Sequence, residues 1–394
     1  MKVYLDNSAT TALDKEVLEQ MIPYFTDTFG NPSSLHNYGR KALKAVDESR
    51  EIIAKCIGAK ANEIYFTSGG SESDNWALKG VVKASKQKKK HIITSCIEHP
   101  AIMDTLAYLE EKENVSVTYL PVDKGGRVNV KDIEDSITDD TILVSVMFAN
   151  NEMGAIQPIA EIGKICKEEG ILFHTDAVQA MDSQNIDVNE LNIDLLSMSA
   201  HKFHGPKGIG VLYIRSGVKI DRLIHGGHQE RRMRAGTTDT PLIVGMAKAL
   251  EIAVRDRAEN NARISSLRDD FVKRVLDEIP FVYLNGGMEH RLPNNANLSF
   301  AYIEGESILI NLDLAGVAVS SGSACSSGSL EPSHVILALG VKEELAHSSI
   351  RFSLGKDTTQ EEMDYTFDVL KASVERLRQM SPLFNMEKGT GSYV

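Results

Sequence analysis

Residues 142–174 read ILVSVMFANNEMGAIQPIAEIGKICKEEGILFH, and the order of patterns in this stretch decides the fold. Ile142 to Phe148 is an unbroken run rich in Val, Ile and Phe, the length of a buried strand. Ile159 to Glu169 carries apolar residues at helical spacing, and Ile171 to His174 is again strand-like. Outward in both directions the alternation repeats. Ile64-Tyr65-Phe66, His91 to Ser95, Val115 to Leu120, Leu195 to Ser199 and Gly210 to Ile214 read as strands. Ser73 to Ser85 and Ala101 to Glu113 read as helices between them. Strand and helix in alternation predict an α/β domain with a mostly parallel sheet covered on both faces.

Beyond this region the pattern changes. Ala258 to Leu276 reads as a long helix that links two units. Asn297 to Phe300, Ser307 to Leu314 and Ile350 to Ser353 read as parts of a smaller α+β domain. The expected division is a large domain of residues 12–258 and a small one made of residues 1–11 and 259–394. A chain of 394 residues is long enough for two such cores. Glu387 to Val394 is polar and Gly-containing, as a loose tail is.

Composition narrows the function classes. The formal net charge is -12, and the one dense basic run, Lys86 to Lys90, follows helix-like sequence as a solvated helix end would. Direct nucleic-acid binding needs a basic face and is not expected. No apolar run approaches the roughly 18 residues of a membrane span, and MKVYLDNSATT lacks a signal-like apolar segment. A reducing cytoplasm is the expected compartment. The 4 cysteines, Cys56, Cys96, Cys166 and Cys325, are far apart. They form no metal-ligand pattern, so no metal site is expected.

Unusual polar residues fall just after the strands, where ligand sites of open α/β sheets lie. Ser68-Gly69-Gly70-Ser71-Glu72-Ser73 follows the first strand and leads into a helix, whose free amides favour an anion such as phosphate. The same motif also serves as a plain tight turn. Asp176 ends an apolar strand, where a carboxylate needs a partner such as a protonated pyridine nitrogen, or else caps the next turn. Lys202, between His201 and Phe203, is placed for a Schiff base if partly desolvated, since that weakens its hold on the proton. Most lysines are instead exposed. His99 is placed to stack on a flat ring and move protons, or to cap a helix. Asn150 and Asn151 offer an amide to a ring hydroxyl, or form a turn.

Residues 320–329, SSGSACSSGS, differ in kind. A small, polar loop is a poor place to bury Cys325 as a hydrophobe and a good place to present a thiol. It also reads as a Ser/Gly linker with an incidental cysteine.

Taken in order, YLDNSATT (residues 4–11), NPSSLHNYG (31–39), SGGSESDN (68–75), EHPA (98–101), NNEMG (150–154), DAVQ (176–179), SAHKFHGPKG (199–208), RAGTT (234–238) and SGSACSSGS (321–329) span nearly the whole chain. Together they resemble the cysteine desulfurases of the NifS/IscS type, within the fold-type I (aspartate aminotransferase-like) pyridoxal-phosphate (PLP) enzymes. Motif order over the whole chain is far more specific than any one match. One departure is Ser71, where many relatives have threonine; it keeps the hydroxyl.

The resemblance implies roles for matching residues. Lys202 carries PLP as a Schiff base and shuttles protons, and Asp176 pairs with the ring nitrogen. Gln179 and Asn151 meet the ring hydroxyl region, and His99 stacks on the ring. Gly70, Ser71, Ser199 and His201 bind the phosphate, with Thr237 reaching it from a neighbouring subunit of a homodimer. Arg351 clamps the substrate carboxylate, with Asn151 beside it. Cys325 attacks the sulfur of L-cysteine, leaving alanine and an enzyme persulfide for a protein acceptor such as an iron–sulfur scaffold or a tRNA-thiolation protein. Two alternatives differ in chemistry. Another PLP enzyme of this fold, a selenocysteine lyase or an aminotransferase, shares Lys202 and Asp176 but mostly has no need of a loop thiol. A non-catalytic protein that only docks a partner would be expected to lack the lysine or the cysteine, and both are present.

Overall fold

The computed structural model describes residues 1–321 and 331–384; Cys325 lies outside them. Among these residues a sheet of 7 strands runs, in spatial order, Ile64–Thr67, Gly210–Ile214, Leu195–Ser199, Leu172–Asp176, Thr141–Ser145, Lys90–Ser95, Val115–Leu120. All pairings are parallel except those of Gly210–Ile214 with its two neighbours. The expected α/β class with a mostly parallel sheet is what forms. Thr141–Ser145, Leu195–Ser199 and Gly210–Ile214 are buried at every position, which is why apolar residues dominate both faces rather than alternating with exposed polar ones.

Two strands end differently from their sequence patterns. Thr141–Ser145 stops before Val146, although Val146 and Phe148 still donate backbone hydrogen bonds to His174 and Asp176. Leu172–Asp176 includes Asp176 as its last residue. The apolar run therefore outlasts the regular ladder in one strand, while in the other the ladder reaches past the apolar run to a polar residue.

A second sheet of 4 strands, ordered Ser320–Ser321, Ser349–Ser353, Asn295–Phe300, Val282–Leu284, is antiparallel. Its core gathers Phe271, Leu298, Ile350, Phe352 and Leu370 together with Val3 and Leu5 from the chain start. Val3–Tyr4 pairs in parallel with Val317–Ala318. The linking helix is longer than its sequence pattern suggested: Thr240–Glu278, 39 residues. Asp239 caps it by accepting the Leu242 amide, and Pro241 sits in its first turn, where a missing N–H costs nothing. Its first half packs Ile243, Met246 and Leu250 into the large core, and its second half packs Phe271 and Val275 into the other. Among the described residues no helix is long and apolar enough to cross a membrane.

Candidate active site

The carboxyl ends of the parallel strands converge on a cavity of about 290 Å³. Ten of the residues singled out from sequence line it: Gly70, Ser71, His99, Asn151, Asp176, Gln179, Ser199, His201, Lys202 and Arg351. They are scattered over more than 280 positions of the chain and meet because each follows a strand or lies on one.

At one end of the cavity, the helix Gly70–Ala84 begins at Gly70 itself, so the Gly70 and Ser71 amides lie in the first turn and need an outside acceptor. A Cβ on Gly70 would lie 2.8 Å from Val178 Cγ2, so only glycine lets the helix start approach so closely. Glu72 is tied away from the helix start: it accepts from Arg234 Nε at 2.9 Å and from the Ser68 amide at 2.8 Å.

Lys202 closes the turn Ala200–Lys202 after the strand Leu195–Ser199. Its Nζ donates to the Ser8 and Ala9 carbonyls at 2.6 and 2.9 Å, and Gln179 Nε2 donates to the same Ser8 carbonyl at 2.9 Å. The chain start thus lies across the lysine turn, and Thr11 N to His201 O (2.9 Å) fastens it there. His201 Nδ1 meets Thr10 Oγ1 at 3.1 Å. Burial, with the Lys202 and Lys207 charges, pushes the His201 imidazole down to about 4, so it sits neutral beside Lys202. Ser8 also lines the cavity, and its Oγ is buried without a hydrogen-bond partner among the described residues.

Asp176 accepts the Val178 amide on Oδ1 at 2.9 Å. Burial raises its carboxyl above the ordinary range, against the opposing effects of His99, the Val178 amide and Lys202. A cationic partner in the cavity would reverse that cost. His99 is the N-cap of the helix Pro100–Glu113, its Nδ1 accepting from the Ala101 amide at 3.1 Å. His99 thus caps a helix and also lines the cavity. Burial lowers its pKa, with Asp176 opposing and Lys202 adding to the effect. Since Nδ1 is an acceptor, Nε2 carries the proton in the neutral ring.

The two asparagines divide the readings between them. Asn150 is fully buried and forms the turn, Oδ1 accepting from Glu152 N and Met153 N. Asn151 faces the cavity, and its carbonyl accepts from Arg351 Nη1 at 3.0 Å. Arg351 itself is 1% exposed.

A set of buried polar residues at the cavity, with Asp74 among those lining it, was not singled out from sequence. His174 bonds Ser145 Oγ at 2.9 Å and Ser197 Oγ at 3.1 Å. Burial pushes it down to about 3. Asp74 lies near it, Oδ1 at 3.7 Å from His174 Nε2, and burial beside Asp176 raises its carboxyl well above the usual range. Glu98 is also buried, bonded to Ser95 Oγ at 2.5 Å and the Met147 amide at 3.0 Å, and burial pushes it up to about 8. The signal was present: Ser145, His174 and Ser197 interrupt otherwise apolar strands, and a polar residue in a sheet buried on both faces requires a partner.

Thr237 stands apart. It is exposed and lines a separate cleft with Ser68, Gly208 and Arg234. Among the described residues no group of His, Cys, Asp and Glu is arranged to hold a metal ion.

The cavity fits a phosphorylated pyridine. Gly70 and Ser71 stand at a helix start that has no Cβ at its first residue, a buried carboxyl raised by desolvation lies nearby, a lysine amine is held beside it, and Arg351 lines the wall. Comparison with known proteins agrees. The family model described as aminotransferase class-V matches residues 3–366. A cysteine desulfurase IscS of Clostridium botulinum (strain Kyoto / Type A2) is 57% identical over 385 residues, covering 97% of each chain. One from Methanosarcina thermophila is 55% identical over 388 residues, covering 98% of this chain and 96% of that one. A solved structure described as a NifS-like protein superposes with a TM-score of 0.90 at 40% identity, covering 96% of this chain and all of the other. Another, SspA in complex with cysteine, gives 0.79 at 39% identity, covering 90% and 99%. The chain belongs to the class-V aminotransferase family, among its NifS/IscS-type members.

Proposed function

We propose that the protein is a cysteine desulfurase, converting L-cysteine to L-alanine and taking the sulfur as a persulfide on Cys325. The observation that carries this reading is the convergence of Lys202, Asp176, His99 and Arg351 on one cavity. Bound there, PLP supplies an electron sink for bonds at the substrate's Cα and Cβ. Gly70, Ser71, Ser199 and His201 hold its phosphate, Lys202 its carbonyl carbon, Asp176 its ring nitrogen, and Gln179 and Asn151 its hydroxyl side. Arg351 binds the substrate carboxylate with its planar fork, with Asn151 beside it. Lys202 moves the proton at Cα. His99 stacks on the ring and handles protons through Nε2. The Cys325 thiolate forms a bond to the substrate sulfur as the carbon–sulfur bond breaks, and the substrate carbon takes a proton to become alanine. An ordinary thiol near pKa 8.5 holds its proton at neutral pH, so a base must assist.

The two cores correspond in this reading to two domains, residues 12–258 and residues 1–11 with 259–394. The working unit is a homodimer in which Thr237 reaches the partner's phosphate site, consistent with its exposure outside its own cavity. The persulfide passes to a protein acceptor, an iron–sulfur scaffold or a tRNA-thiolation protein. We place the enzyme in the cytoplasm, where reducing conditions keep thiols free.

The test supplies L-cysteine and a thiol reductant to purified protein and measures sulfide and alanine. Equal yields are expected, with a cofactor absorbance band that Lys202→Ala abolishes and that Cys325→Ala keeps while losing sulfide. A Cys325→Ala variant of full activity would overturn the thiol-attack mechanism and favour a lyase of the same fold.

A further inference from the structure

Arg351 has three donor nitrogens, and the structure uses two. Nη1 donates to the Asn151 carbonyl at 3.0 Å and Nη2 to Asp6 Oδ1 at 2.9 Å. Nε is buried and has no hydrogen-bond partner among the described residues. Nε and Nη2 form the side edge of a guanidinium, an edge that accepts both oxygens of one carboxylate. Asp6 therefore satisfies half of an edge shaped for a bidentate anion. The unpaired half costs free energy that a correctly placed carboxylate restores.

The backbone around Asp6 is held without help from its side chain. Leu5 N donates to Ala318 O at 2.8 Å, Ser353 N to Leu5 O at 2.8 Å, and Asn7 N to Ser353 O at 3.2 Å. Ser353 lies two positions beyond Arg351 on the same strand, so this ladder sets Asp6 beside the guanidinium. The Asp6 side chain is 23% exposed against 2% for Arg351, so its carboxylate has water to turn into, while the buried guanidinium stays bonded to the Asn151 carbonyl. A second carboxyl that acts on Arg351, Glu152, is different: it is buried and bonded to Ser333 Oγ at 2.5 Å. Of the two, Asp6 is the one able to leave.

We propose that Asp6 is a positioning residue that stands in for the substrate carboxylate on Arg351 and yields that place when an α-carboxylate binds. It keeps the guanidinium aimed at the cavity in the resting enzyme, and it competes with every carboxylate ligand. The inference rests on Arg351 being the substrate-carboxylate clamp.

The test compares wild type with Asp6→Asn by titrating the cofactor absorbance of each holoenzyme with L-alanine and with ethylamine, which is alanine without its carboxylate. Asp6→Asn is expected to bind L-alanine about tenfold more tightly, the scale of losing one charge-assisted competitor, and to bind ethylamine as wild type does. KM for L-cysteine falls with kcat unchanged, because the competitor is absent from ground state and transition state alike. Asp6→Glu, which restores the charge, returns the affinity toward wild type. If Asp6→Asn folds poorly, Asp6→Ser gives the same comparison. Weaker or unchanged L-alanine binding beside an intact cofactor band overturns the proposal. A wild type without any cofactor band overturns the reading of the cavity, and this inference with it.

Discussion

Glu98 is a buried carboxyl next to His99, and its pH behaviour follows from burial. Its pKa stands at about 8 against an ordinary 4.5, because desolvation outweighs the hydrogen bonds from Ser95 and the Met147 amide. Between those values the folded protein keeps a proton that the unfolded chain has lost. Folded stability attributable to Glu98 is therefore intact below the unfolded value and falls as pH rises through the window. His174, pushed down to about 3 from 6.5 by burial, has the opposite sign and loses stability as pH falls below its ordinary value. Glu98→Gln keeps the shape without the titration. Its melting temperature is expected to decline less than wild type's between about pH 5 and pH 8, by several degrees, in thermal unfolding followed by circular dichroism. An identical slope in both proteins would show that Glu98 is ionised in the fold. Neither residue stood out in sequence as Lys202 or Asp176 did: His174 was marked only by its place in an apolar strand, and a lone Glu98 inside a motif does not reveal its burial.

At the scale of elements, His334–Ala338 is the first helix of the described chain after the cysteine segment and is fixed to the loops after the strands Lys90–Ser95 and Thr141–Ser145. Ser333 caps it, its Oγ accepting from Val335 N at 3.1 Å and Ile336 N at 3.3 Å while donating to Glu152 at 2.5 Å. His334 Nε2 meets the Glu98 carbonyl at 3.1 Å, and Val335 and Ile336 pack on Ile97 and Met147. Ser333→Ala removes the cap and the Glu152 partner together and is expected to cost about 1–2 kcal/mol, read from the urea midpoint. No change would mean that water replaces both bonds. Strands were legible in sequence almost to the residue, as with Leu195–Ser199 and Gly210–Ile214, because full burial favours apolar residues on both faces of the strand. The helix Thr240–Glu278 was legible only in its second half. Its first half sits among large-core residues and carries too little polar surface to show a helical period.

For the whole molecule, the helix Lys15–Thr26 and the segment after it carry large apolar side chains that the single chain leaves exposed. On Lys15–Thr26 and the segment after it, Phe25 is 57% and Phe29 65% exposed, and Leu35 is 90% exposed. Phe29 also packs on Tyr38, ring centres 5.6 Å apart. Several large apolar side chains exposed within one short stretch suit burial by a second copy of the chain, in line with the proposed homodimer. Phe25→Asp with Phe29→Asp is expected to raise the dimer dissociation constant by at least about tenfold, as loss of buried aromatic area does, in sedimentation equilibrium with the secondary structure retained. An unchanged constant would move the interface elsewhere. This surface was not read from sequence, because exposed and buried aromatics look alike until the core is assembled.

The class of fold and most of the cavity's residues were written in local patterns. Strand length, helical period and the placing of Gly70, Asp176 and Lys202 at strand ends depend only on neighbours a few positions away, and chain order carried the likeness to a family. Three matters needed the folded molecule. Asp6 meets Arg351, Ser8 meets Lys202, and Ser333 meets Glu152 across separations of 345, 194 and 181 positions. Burial also decides which carboxyls and imidazoles are charged. These follow from how much water each group loses and which distant group replaces it, and no local pattern records either quantity.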